Sequence, residues 1–137
     1  IYAIDLDPKM ISLAKSKNND PSIHFSVGNA AKLTFEKKQF DAVVNFGIIH
    51  HIPNWKTCLK ELKRVLKPRG ELILEDLSIE TFSTPFGKIL KKILKHPYEQ
   101  MYAKDEFIKE LNQLGFKIET KKEYNLGIKY FLIIAKK

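Results

Sequence analysis

Three stretches of this sequence hold residues of types and spacings that can do chemistry. In Tyr2-Ala3-Ile4-Asp5-Leu6-Asp7-Pro8-Lys9-Met10 an apolar run meets an acid, and a helix start follows at once. Asp7 can cap the first amides, and Pro8 suits the first helical position. Asp5 then falls at a strand's carboxyl end, where ligands of open α/β sheets gather and a carboxylate can hold the vicinal hydroxyls of a ribose. The plainer reading, that Asp5 only helps to cap the helix, stays open. In Gly28-Asn29-Ala30-Ala31 the glycine allows close approach of backbone to a ligand. Asn29 offers both an acceptor and a donor, suited to a base edge such as that of adenine, or it simply makes a Gly-Asn turn. In the third stretch His50 and His51 follow a strand, and either imidazole can take a proton near neutral pH. Adjacent loop histidines need not point the same way, so the pair is a poor metal site and no metal is expected.

These residues need elements to position them. Pro8 to Lys17 reads as a helix with Met10, Ile11 and Ala14 on one stripe. Asn18-Asn19-Asp20-Pro21 is a turn. Ile23, Phe25 and Val27 alternate with Ser22, His24 and Ser26 as a strand, which makes His24 a polar strand position. Phe40 to Phe46 is apolar with little alternation, the pattern of a buried strand. After the loop Gly47 to Pro53, Asn54 caps a helix whose Trp55, Cys58, Leu59, Leu62, Val65 and Leu66 recur at steps of three and four. Cys58 belongs to that stripe and is structural. Lys67-Pro68-Arg69-Gly70 stops the helix and turns the chain into the strand Glu71 to Asp76.

Thr81 to His96 is a basic amphipathic segment in which Phe82, Phe86, Ile89, Leu90, Ile93 and Leu94 interleave with Lys88, Lys91, Lys92 and Lys95. It reads as a lid over a substrate, a membrane-surface helix or an ordinary surface helix. Lys104 to Leu114 is a second amphipathic helix, with Gly115 at its end and Ala103 as a poor cap. Phe116 to Tyr124 and Lys129 to Lys136 are strands joined by too short a link for a crossover, so they run antiparallel. The order is β-α-β-loop-β-α-β-α-α-β-β. We expect one α/β domain over 1–137, doubly wound and Rossmann-like with a terminal antiparallel hairpin, and with 82–103 as a lid or substrate insertion.

The chain of 137 residues carries a net charge of +8, which raises nucleic acid, anionic membrane and anionic substrates as partners. Only Arg64 and Arg69 among its 24 basic residues are arginines. Nucleic-acid readers lean on arginine forks, so a lysine-rich solvated surface is the better account. No run of apolar residues is long enough to span a membrane. The single Cys58 rules out an intrachain disulfide and fits a reducing, cytoplasmic setting.

Four segments, in order and in register, resemble the class I S-adenosylmethionine-dependent methyltransferases, and among them the type 11 small-molecule group. They are Ala3 to Met10, Gly28-Asn29-Ala30-Ala31-Lys32-Leu33, Phe40 to Asn45 running through His50-His51-Ile52, and Leu62 to Gly70 with Glu71-Leu72-Ile73. The resemblance implies S-adenosylmethionine as cofactor and a small-molecule acceptor. It implies that Asp5 binds the ribose hydroxyls and that Leu6 and Met10 flank the adenine. Asn29 and the backbone of Ala30 would read the adenine edge. Asn45, Phe46 and Gly47 would floor the methionine part, and His50 or His51 would border the acceptor and assist as a base. Asn29 stands where the family commonly has Asp, and Arg69-Gly70 where it commonly has two glycines.

The family's glycine-rich loop between the first strand and first helix has no counterpart among the six glycines here. A preceding βα unit would add at least about 30 residues. Without it the strand at Ile1 and the strand at Phe40 would be non-neighbours, and we expect the intact protein to be longer and this portion marginal alone. Exocyclic-amine nucleic-acid methyltransferases carry a Pro-Pro-aromatic run after the Asn of this strand, whereas Asn45 is followed by Phe46-Gly47-Ile48. Two other classes compete: an NAD-dependent dehydrogenase, and a non-catalytic Rossmann-like module that binds a partner or RNA. The oligomeric state is not legible.

Overall fold

The computed structural model describes residues 1–93, 101–125 and 128–137. Strand β1 (Tyr2–Asp5) leads into helix α1 (Pro8–Lys17), and β2 (His24–Val27) returns parallel to β1. Strand β3 (Phe40–Phe46) is followed by a short 3-10 turn (Ile49–His51) and helix α2 (Trp55–Val65). Strand β4 (Leu66–Leu77), a second 3-10 turn (Ile79–Ser83), α3 (Pro85–Ile93), α4 (Lys104–Gln113), β5 (Lys117–Asn125) and β6 (Lys129–Lys136) complete the chain. The strands form a two-stranded sheet, β1-β2, and a four-stranded sheet in the order β3-β4-β6-β5. β3 runs parallel to β4, while β6 is antiparallel to both β4 and β5. The expected α/β order and terminal hairpin are therefore present, and β1 and β3 share no ladder.

Local chemistry explains most of the element ends. Asp7 accepts the Lys9 amide at 2.8 Å and Pro8 opens α1, the capping geometry that orphan first-turn amides require. Asn54 occupies the cap position of α2 but makes no side-chain bond there. Ala103, which has no capping atom, is replaced from outside: the Glu80 carboxylate accepts the Lys104 amide at 3.2 Å. Gly115 ends α4 at φ +79°, a conformation that favours glycine.

The core is built by period. On β4, Leu72, Leu74 and Asp76 are buried while the residues between them are not. Facing them on β6 are Phe131, Ile133 and Ala135. Trp55, Cys58, Leu59 and Leu62 from α2 and Phe107 and Leu111 from α4 cover the same face. Each such large side chain contributes about 1.5–3 kcal/mol on burial. Arg64 fastens the β2–β3 link to α2 by donating to Phe35 O at 2.8 Å, Leu33 O at 3.0 Å and both oxygens of Glu61, whose Oε2 also holds the Leu33 amide at 2.9 Å. One of the two arginines thus has a structural role.

Three expectations need correction. β3 is not a buried strand: Val44 is 55% and Phe46 60% exposed. Its apolar sequence suits a central position, yet one edge has no partner strand among the described residues and its outer face is exposed. Of the α1 stripe only Ile11 is buried, with Met10 46% exposed. Lys67 to Gly70 is not a separate turn. It lies inside β4, where the ladder to β3 jumps from Phe40–Leu66 to Ala42–Glu71, and Arg69 takes φ +65° to make the bulge.

Of the basic amphipathic segment, the part from Leu94 to His96 lies outside the described residues. Within α3 only Gly87 is buried. A Cβ there would stand 2.1 Å from Thr81 O and 2.8 Å from the Phe82 Cα. Alanine gains about 1 kcal/mol of helix propensity, but overlap with fixed backbone costs about 1–3 kcal/mol or more, so the overlap wins. Gly87→Ala therefore loosens α3 from the second 3-10 turn. Hydrogen exchange should accelerate across Pro85–Ile93 and stay unchanged across α2, and unaltered α3 protection would contradict this packing.

Candidate functional site

The candidate residues collect at the carboxyl ends of the parallel strands. Asp5 and Val27 are partners in the β1–β2 ladder, and the Gly28 amide donates to Asp5 O at 2.9 Å. The end of β1 and the Gly28-Asn29 loop are therefore adjacent. The Asp5 side chain receives the Asp7 amide on Oδ1 at 2.8 Å. Asp5 thereby orients the cap residue Asp7, which itself caps α1, and the bond engages Oδ1. Asn29 accepts the Ala31 amide on Oδ1 at 2.8 Å, an Asx turn that shapes the loop and leaves the NH2 group as its donor. Leu6 is 70% and Met10 46% exposed at the β1–α1 corner. Two large apolar side chains thus stand in the open beside the acid.

A second group forms on the neighbouring sheet. Asn45 pairs with Leu74 and Phe46 with Glu75, and the Gly47 amide donates to Glu75 O at 2.8 Å. Gly47 has φ +62°, the left-handed turn that lets the chain leave β3 and enter the 3-10 turn. That turn brings His50 onto the buried Asp76. Nδ1 of His50 makes a close contact with Asp76 Oδ1, the His50 amide reaches Oδ2 at 3.3 Å, and the Leu77 amide donates to Oδ1 at 2.7 Å. A carboxylate only accepts, so Nδ1 carries the proton and Nε2 keeps the basic lone pair. The His51 ring lies against His50, tilted by 38°, with centroids 4.0 Å apart. Its pKa is lowered, chiefly by burial and then by His50, against the pull of Asp76.

Asp76 was not singled out from the sequence, although a signal was present. The alternation Leu72-Leu74-Asp76 puts a carboxylate on the core-facing row, and a buried acid needs a partner. Near it lies Tyr102, buried among Trp55, Phe107 and Phe131 at centroid distances of 5.1, 4.5 and 6.3 Å. Burial, then the Asp76 carboxylate, push its hydroxyl well above the usual phenol range, so it stays protonated. Asn45 Oδ1 is a buried side-chain acceptor that lacks a hydrogen-bond partner among the described residues, while the Tyr102 hydroxyl lies against the Asp76 carboxylate. Native proteins leave few such orphans, and they gather where a ligand or strain is accommodated.

The two groups are joined at both ends. Tyr2, Phe35 and Phe40 make edge-on contacts at 5.0–5.7 Å, pinning the start of β1 to the start of β3. Ala30 and Ala31, just after Asn29, pack on the core cluster that contains Ile49. His24 is an exposed strand residue stacked on Tyr2. Cys58 is fully buried, and burial, then Asp76 and Glu61, raise its thiol to about 12, so it stays protonated and inert. A depression of about 520 Å³ between α4 and β5, lined by Asp105, Ile108 and Lys121 among others, contains none of the candidate residues.

Residues 1–74 match the family described as methyltransferase domain, in its type 11 form. The chain is 36% identical to the phthiotriol/phenolphthiotriol dimycocerosates methyltransferase of Mycobacterium leprae over 54% of its own length and 27% of the relative's. It is 33% identical to the demethylmenaquinone methyltransferase of Lactococcus lactis, over 77% of this chain and 49% of that one. It therefore spans half or less of these relatives. Among solved structures, an S-adenosylmethionine-dependent methyltransferase from Methanosarcina mazei superposes with a TM-score of 0.82 at 22% identity, covering 99% of this chain and 81% of that chain. That likeness shows the fold.

Proposed function

This chain belongs to the type 11 methyltransferase domain family, and from that premise we propose that it serves methyl transfer from S-adenosylmethionine to a small-molecule acceptor. The observation that carries the reading is the His50–Asp76 pair at the carboxyl end of the same sheet that holds Asn45 and Phe46.

The residues present fit the cofactor. Asp5 keeps one carboxylate oxygen outside its bond to the Asp7 amide. Leu6 and Met10 supply apolar surface for a base, and the Asn29 NH2 group can donate to a ring nitrogen. Asn45 Oδ1 is an acceptor with nothing to accept, as the ammonium of an amino-acid moiety requires. When bound, the cofactor supplies a methyl group on a cationic sulfur. This chain's residues do the rest. Asp5 and Asn29 bind and orient, and Phe46 and Gly47 form the floor. Asp76 fixes the His50 tautomer, and His50 Nε2 takes the proton that the acceptor must lose.

The acceptor is read as a small molecule because the relatives are named for such acceptors and because Arg64 is engaged in structure rather than offered to phosphates. A strand between β1 and β3 would cover both unpaired edges. Calorimetry with adenosylmethionine, adenosylhomocysteine and NAD decides between the readings. Binding of the first two without NAD is expected. Binding of NAD alone would assign a dehydrogenase, and salt-sensitive RNA binding with neither would assign a non-catalytic module.

A further inference from the structure

We propose that α3 docks the protein on an anionic phospholipid bilayer. At 100° per residue, Phe86, Ile89, Leu90 and Ile93 fall on one side of α3, and Lys88, Lys91 and Lys92 fall on the other. In the folded chain most of the apolar side is left uncovered: Phe86 is 49%, Ile89 56% and Ile93 70% exposed, while Leu90 is half-buried. The helix is held instead through Gly87, pressed against the Thr81 carbonyl and Phe82. It is thus fixed on an edge, with its apolar face open and its lysines opposite.

Charge complementarity selects the occupant. A helix that lies in a membrane interface has this pattern, an apolar face immersed and a lysine face toward the headgroups. The chain's net charge of +8 works against a second copy and in favour of an anionic surface. The apolar face carries no polar atom that would need a matched partner, and a bilayer offers none. No helix among the described residues is long and apolar enough to cross a membrane, so the contact is a surface one.

Position gives the docking a use. α3 follows the second 3-10 turn directly after the carboxyl end of β4, where Asp76 and His50 lie. A bilayer under α3 would lie near the candidate site and could supply an apolar acceptor. Only this use, not the docking, rests on the methyl-transfer reading.

The test is flotation of the intact protein with vesicles of phosphatidylglycerol and phosphatidylcholine, against phosphatidylcholine alone. Adenosylhomocysteine affinity is measured in parallel. Binding to the anionic vesicles is expected, weakened by high salt. It should fall about tenfold or more in Ile89→Glu/Ile93→Glu, and comparably in Lys88→Glu/Lys92→Glu. Lys15→Glu/Lys17→Glu on α1 should retain most of it. In Ile93→Trp the indole emission should shift to the blue on addition of anionic vesicles. Wild-type protein that binds adenosylhomocysteine but does not float overturns the docking and leaves the methyl-transfer reading standing. Flotation that survives Ile89→Glu/Ile93→Glu also overturns it, assigning the binding to general lysine charge. Loss of transfer in that variant without any vesicle binding would make α3 a lid. Flotation without adenosylhomocysteine binding would sustain the docking and remove the methyl-transfer reading.

Discussion

Replacing Asp76 by Asn lowers turnover of the intact enzyme by about 10²–10⁴-fold while leaving methyl-donor affinity within about twofold. The reason lies in charge and donor count. Asp76 accepts from the Leu77 amide and the His50 amide and engages Nδ1 of His50. An amide in its place carries no charge to stabilise the imidazolium that forms, and it sets an NH2 group against either the His50 amide or Nδ1, which loosens the hold on the ring. The packing volume hardly changes, so the loss is chemical rather than structural. His50→Ala should lose as much, because the two act as one unit. Adding Asp76→Asn to His50→Ala should then cost little more, the non-additivity that separates a dyad from two packing residues. Unchanged turnover in the His50→Ala/His51→Ala double variant would remove the base. A KM effect without a kcat effect would recast the pair as loop packing.

Asp5→Ala weakens adenosylhomocysteine binding by about 100-fold. Two hydrogen bonds from hydroxyls to a carboxylate are worth about 1.5–3 kcal/mol each, and water recovers part of that in an accessible site. The same change also deletes the bond to the Asp7 amide, which lowers stability by about 1 kcal/mol. Asp5→Asn separates the two. Its carbonyl oxygen can still receive the Asp7 amide, so the turn leading into the Asp7 cap is kept, but its other atom becomes a donor and cannot accept a hydroxyl. Weakened binding with a nearly unchanged melting temperature is the expected result for Asp5→Asn. Wild-type affinity in that variant would reduce Asp5 to a residue of that turn.

Much of this was legible in the residues because the responsible physics is local. Asp7-Pro8 announced a helix start, and Gly115 a helix end. The stripe Trp55-Cys58-Leu59-Leu62 predicted its own burial, and a short link required β5 and β6 to run antiparallel. What the sequence hid depends on distant partners. β3 reads as buried because its residues are apolar, but burial needs neighbours on both edges, and among the described residues only β4 supplies one. The cap of α4 comes from Glu80, 24 positions away, which no local pattern can show. Asp76 was visible as an acid on an apolar row, yet its meaning came only when the turn after Gly47 laid His50 against it. The apolar face of α3 was plain in the spacing. That it remains exposed was not.

A methyl-donor site at the carboxyl ends of β1, β2 and β3 underlies the proposed chemistry. Titrating adenosylhomocysteine into isotope-labelled intact protein and following backbone amide resonances tests it most directly. The resonances of Asp5, Leu6, Met10, Asn29, Ala30, Phe46 and Gly47 should move together along one saturable curve, while those around Asp105, Ile108 and Lys121 stay fixed. Saturable shifts confined to the α4–β5 depression, or none at Asp5 and Asn29 while the ligand binds, would contradict it.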